Sequence, residues 1–186
     1  MARILVAALL AVGMVGCAGS ADGKVAGYTL AVADAVFGVQ KDSDGKNNLL
    51  TVILADKPGV CDKLKANRYP KEATFLQISL LRVGDSEFLA PDAADYTVRE
   101  PSLSFLGKGN NGVAEFERQD SSCTSTIGGS AGVSKSGLVK LTNVKAETGG
   151  TANGTFDISF GDGSLKGSFN ATFCDLASLT DNPSCE

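Results

Sequence analysis

The chain has 186 residues, 43% of them hydrophobic and 20% charged, with a formal net charge of −4; this suits one globular domain and fits neither a disordered chain nor a membrane bundle. It contains no histidine, which removes the Ser-His-Asp triad, the Cys-His pair and His-ligated zinc or haem, and with them most familiar hydrolase chemistry. An acidic pI near 4.9 disfavours nucleic acid as a partner.

The N-terminus predicts a secretion signal. Arg3 supplies the positive charge, and Ile4 to Gly16 form an uninterrupted run of thirteen apolar or small residues, too short to span a bilayer stably. At its end, Met14-Val15-Gly16-Cys17 followed by Ala18-Gly19-Ser20 resembles the lipobox of bacterial lipoproteins, with Met14 where that family usually has leucine. The resemblance implies that Cys17 becomes the first mature residue and is acylated. Each buried methylene contributes about 0.8 kcal/mol, so two or more chains hold the protein to a membrane that it does not cross. Ala18 after the cysteine implies, by the sorting rule of such lipoproteins, the outer membrane of a Gram-negative bacterium, on its periplasmic or cell-surface face. We expect residues 1–16 to be signal peptide, 17–26 a lipidated tether and 27–186 a single β domain. A tether from Ala18 to Lys24 reaches at most roughly 25 Å, so the domain should lie close to the lipid.

Beyond it, Tyr28, Leu30 and Val32 alternate with small residues, and Ala35 to Gln40 continues as an extended segment with Phe37 and Val39 on one face. Lys41 to Asn47 reads as a turn. Leu49 to Asp56 is a near-continuous apolar strand, with Leu50, Val52 and Leu54 facing one way and Thr51, Ile53 and Ala55 the other, which predicts burial on both faces. Val60 to Ala66 predicts a short helical turn carrying Cys61, ended by Tyr69-Pro70. A strand follows over Ala73 to Val83, then shorter candidates at Phe88-Leu89, Tyr96 to Val98, Leu103 to Phe105 and Val113 to Glu117. From Cys123 to Ser136 the Ser/Thr/Gly-rich stretch reads as a loop pinned by a disulfide. Leu138 to Val144 alternates, and Gly154 to Phe160 and Ser164 to Phe173 flank Gly161-Asp162-Gly163 as a hairpin. No mature segment carries a convincing 3.6-residue period. Eight or nine short strands predict an all-β antiparallel sandwich, preferred because the turns vary in length, with a β-barrel as the alternative.

Apart from Cys17, four cysteines remain, Cys61, Cys123, Cys174 and Cys185, an even number for an oxidising compartment. Of the three possible pairings we expect Cys174 with Cys185, which bracket a short polar tail, and Cys61 with Cys123 by elimination. No CxxC pair suggests a redox site.

The lipobox, the strand followed by Pro58-Gly59-Val60-Cys61, the segment Asp95 to Val98, and Gly154-Thr155-Phe156 through Gly167-Ser168-Phe169 with Cys174 together resemble an uncharacterised group of small β-rich lipoproteins of Gram-negative bacteria. The resemblance implies a location and a fold class and transfers no activity. Catalytic motif matches fail on context. Gly128 to Gly132 fits GxSxG around Ser130, but that elbow needs a strand entering, a helix leaving and a histidine base. Gly107 to Gly112 fits GxGxxG but leads into a strand, not a helix N-terminus. A glycosidase-type carboxylate pair needs no histidine, yet a chain with no Trp and three Tyr is poorly supplied to floor a sugar cleft. Asp42, Asp44 and Asn47 around Gly45 form a weak Ca²⁺ candidate, because EF-hand spacing fails and a solvated turn explains them; no other metal and no cofactor is expected. The function expected is therefore non-enzymatic: an outer-membrane-anchored module that binds an envelope protein or serves it as an accessory subunit. The alternative is a small-ligand or Ca²⁺-binding sandwich with its ligand inside the β fold or at the Asp42 to Asn47 loop.

Overall fold

Alternation in the sequence becomes a closed sheet in the computed structural model, which describes residues 18–41, 45, 47–85, 87–101, 107–175 and 184–185. Among the described residues the strands are β1 (Gly19–Val25), β2 (Asp34–Lys41), β3 (Asn47–Ala55), β4 (Arg68–Tyr69), β5 (Thr74–Val83), β6 (Phe88–Leu89), β7 (Ala94–Arg99), β8 (Gly109–Arg118), β9 (Ser134–Val144), β10 (Thr151–Phe160), β11 (Gly163–Phe173) and β12 (Ser184–Cys185), with one helix, α1 (Val60–Lys65). The signal segment 1–16, Cys17, Asp42, Asp44 and the strand candidate Leu103 to Phe105 lie outside the described residues.

Eight strands close into a barrel in the order β11-β10-β9-β7-β8-β5-β3-β2, and β2 returns to β11. The barrel, not the preferred sandwich, is the architecture. Closure rests on a short parallel contact, Thr172 with Val36 and Phe173 with Phe37. The rest of that β11 edge, from Gly163 to Phe169, is taken by β1 running antiparallel. Residues 19–25, expected as part of a tether, are thus a strand of the sheet. Their small and polar side chains gave no apolar period, and main-chain pairing to β11 holds them instead. A second parallel contact joins β7 to β8 through Thr97 and Val98 alone. Buried Ser134 reinforces this junction: its hydroxyl donates to the Arg99 carbonyl at 2.7 Å and accepts from the Ala114 N–H at 2.9 Å.

The inward positions fill the barrel. Phe37, Leu50, Val52, Leu54, Leu76, Ile78, Leu80, Tyr96, Phe116, Val139, Phe156 and Phe169 belong to one cluster, joined by Leu30 from the β1–β2 connection. An eight-stranded barrel is wide enough either for side chains to fill it or for one small ligand, and here the inward side chains form one buried cluster. Tyr96 is wholly buried because its hydroxyl both donates to the Asp92 carbonyl and accepts from the Asp92 N–H, at 2.9 and 3.0 Å.

A second, smaller core lies outside the barrel wall. Val60 and Leu64 of α1 pack on Val36, Ile53, Ala55 and Phe75, so β3 is buried on both faces as its composition predicted. The disulfides belong to this outer layer and correct the expected pairing. Cys61 of α1 joins Cys174 at the end of β11, and Cys123 joins Cys185 of β12, with Cα atoms 5.7 and 5.6 Å apart. Nearness in sequence misled. The stagger of the closed sheet brings the end of β11 beside the start of β2, under α1, whereas the tail runs on to pair with β4.

Candidate functional site

α1 covers only part of the outer face of β2, β3, β5 and β8. The Asp34 carboxylate accepts from the Val60 N–H at 2.9 Å, fixing the start of the helix, and Tyr69 of β4 continues the wall by packing against Phe75, ring centroids 6.2 Å apart. Beside this wall, no other described element covers the sheet. Cross-strand registers set out its floor: Ile53, Gln77 and Glu115 form one row, Thr51, Ser79 and Val113 the next, and Phe75 lies opposite Glu117. Pro101 and Val133 bound the far side. Three depressions of about 410, 170 and 190 Å³ follow this path. They form a continuous groove, for the first two share Gln77 and Glu115, and the last two share Ile53, Leu64, Tyr69 and Gln77.

The electrostatics of the groove are one-sided. Glu115 and Glu117 stand two apart on β8 and so point the same way. Burial pushes the half-buried Glu117 carboxyl above its ordinary value of 4.5, and the charge of Glu115 adds to this, against a hydrogen bond from the Gln119 side chain. Gln119 is 5% exposed, and its Oε1 has no hydrogen-bond partner among the described residues. Tyr69 is held protonated, raised first by burial and then by Glu117 and Glu115. Among the described residues no Lys or Arg pairs with either glutamate; the ion pairs join Arg82 to Asp92, Lys108 to Asp85, Lys135 to Glu100 and Lys145 to Glu147. The opposite side of the barrel differs. There Asp95 faces Lys140 across β7 and β9, and Lys166 faces Asp157 on β10 and Asp22 on β1, the matched charges of a solvated sheet.

An acid whose pKa is raised by folding costs nothing below its unfolded pKa; the penalty grows as pH rises through 4.5 toward the raised value and persists above it. Glu117→Gln is therefore expected to stabilise the protein at about pH 7 and to be neutral near about pH 3. Urea midpoints at the two pH values check this, and identical midpoints at neutral pH would contradict it.

The residues singled out in the sequence do not converge here. Ser130 is exposed in a turn, where the Gly161 backbone packs against its carbonyl, and the chain leaves as β9, not as a helix. Gly109 to Gly112 opens β8, and the Asn111 amide donates to the Gly107 and Gly109 carbonyls at 2.7 and 3.0 Å, closing that turn on itself. Of the Ca²⁺ candidates, Asp42 and Asp44 are not described, and among the described residues no group of three or more His, Cys, Asp or Glu is placed to hold a metal. Also among them, no helix is long and apolar enough to cross a membrane. Tyr69, Gln77, Glu115, Glu117 and Gln119 were missed. The available signal was two alternate glutamates on a strand whose neighbours carry no Lys or Arg at outward positions from Val36 to Gln40, Leu49 to Ala55 and Phe75 to Val83. Comparison of the chain with protein-family models, curated proteins and solved structures found no match.

Proposed function

We propose that the protein is a non-catalytic binding module of the cell envelope, exported by its first sixteen residues, held at the outer membrane by acylated Cys17, and binding its partner through the groove on β2, β3, β5 and β8. The observation that carries this reading is the Glu115–Glu117 pair, set against apolar walls and paired with no Lys or Arg among the described residues, on a barrel that matches its charges elsewhere. The disulfides favour an oxidising compartment. The inward side chains form one buried cluster, which favours binding on the outer face. Ala18 already accepts from the Asn170 N–H at 2.8 Å, so an anchor on Cys17 would start at the barrel wall and hold the groove close to the membrane. The test is a photo-crosslinking side chain placed in intact cells at Gln77 in the groove, and separately at Thr155 on the opposite side. Position 77 is expected to capture one defined envelope component and position 155 none; capture at neither, or equally at both, would overturn the reading.

A further inference from the structure

We infer that the groove receives an extended, cationic stretch of a partner polypeptide, with a Lys or Arg side chain seated on Glu115 and Glu117; this rests on the groove being the binding surface. The chemistry of the floor selects the charge. Glu115 and Glu117 present only acceptors to the groove, and no Lys or Arg among the described residues pairs with either glutamate. A group rich in donors and positive, an ammonium with three or a guanidinium with five, answers both carboxylates at once. The walls select what carries the charge. Ile53, Leu64 and Tyr69 lie next to the acidic pair, apolar surface along which the stem of a Lys or Arg can lie while its head reaches the carboxylates.

The shape selects a chain over a free amine. The groove runs from Gly38 and Gln40 on β2 to Val113 on β8, three inter-strand spacings of about 4.8 Å, or roughly 14 Å, the length of about four extended residues. A small amine would fill only its centre. Along the floor, Gln77, Ser79 and Thr51 supply amide and hydroxyl groups for a peptide main chain, with the Thr51 and Ser79 hydroxyls 3.4 Å apart.

The experiment uses the oxidised mature domain and three probes in calorimetry: an acetylated, amidated pentapeptide Val-Lys-Val-Arg-Val, its counterpart with both basic residues replaced by Glu, and Ca²⁺ alone. Only the basic peptide is expected to bind. Its dissociation constant should rise at least about ten-fold in E115Q/E117Q, in keeping with the coupling measured for close interfacial charge pairs. It should also weaken steeply between about 0.01 M and 1 M salt, as the Debye length falls from roughly 30 to 3 Å. The same thermal midpoint or better in E115Q/E117Q shows that lost binding is not lost folding. No binding of the basic peptide, equal binding of the acidic one, binding untouched by E115Q/E117Q, or Ca²⁺ as the sole ligand would each overturn the inference. Any of these together with specific capture at position 77 would leave the groove as the binding surface and remove only the cationic peptide.

Discussion

Replacing Cys61 and Cys174 together by alanine is expected to lower the thermal midpoint by up to about 10–20 °C. The bond joins residues 113 apart in sequence. In the chain-entropy model a loop of that length contributes about 5 kcal/mol as an upper figure, and a domain of this size loses roughly 2–4 °C per kcal/mol. Alanine is the informative substitute because Cys174 is wholly buried in the outer core, where serine would add an unpartnered hydroxyl. The second bond spans 62 residues, for which the same model gives about 4 kcal/mol. Its loop overlaps the first over Cys123 to Cys174, so removing both should cost less than the sum. Differential scanning fluorimetry of the single-bond variants measures this, and a non-reduced peptide map should return Cys61 linked to Cys174 and Cys123 to Cys185. A fall of under about 3 °C on losing the longer bond would mean that the unfolded chain is already constrained without it.

That bond also marks the boundary of what the sequence could reveal. Strands were legible wherever one face is buried: Leu50, Val52 and Leu54 announce the barrel interior, while Ile53 and Ala55 announce a second layer, which α1 supplies. The helix itself was legible in Val60 to Ala66. The closed sheet was legible only as an alternative, because closure depends on two residue pairs, Thr172 with Val36 and Phe173 with Phe37, and no local pattern encodes a contact made through main-chain hydrogen bonds across the whole chain. β1 was invisible for a related reason: Gly19 to Val25 shows no apolar alternation, and its pairing to β11 is main-chain work. The cysteine pairing follows the stagger of the barrel and not chain distance. The candidate site was hidden because Gln77, Glu115 and Glu117 occupy the polar half of alternating strands, where solvent-facing residues are the ordinary reading. Only the registers that align β8 with β5 and β3, and the helix that walls them, turn those positions into a groove.

The other large effect is expected in the hairpin of β10 and β11, where Phe169→Ala should cost about 3–5 kcal/mol and Gly154→Ala about 1–3 kcal/mol. Gly154 lies opposite Phe169 and Phe156 opposite Gly167, so each ring lies over the glycine of the facing strand. A Cβ at Gly154 would stand 2.5 Å from the Phe169 ring and 2.6 Å from the Lys140 carbonyl; one at Gly167 would meet the Phe156 ring at 2.9 Å and the Ser20 carbonyl at 1.9 Å. The missing side chains are the space the rings occupy, and an added methyl must displace a ring that is itself 3% exposed. The two substitutions should therefore couple. In a Phe169→Ala background the ring clash is gone and only the Lys140 carbonyl opposes the new methyl, so Gly154→Ala should cost clearly less there, with an interaction energy of about 0.5–3 kcal/mol. Urea denaturation of the four proteins of the cycle measures it. Additive costs would place the penalty at Gly154 in the backbone contact alone and leave the facing ring without a part in it. At Gly167 the added Cβ meets the Ser20 carbonyl of β1 more closely than it meets any ring. Gly167→Ala should therefore act mainly by prising β1 from β11, loosening the sheet at the point where the proposed anchor begins.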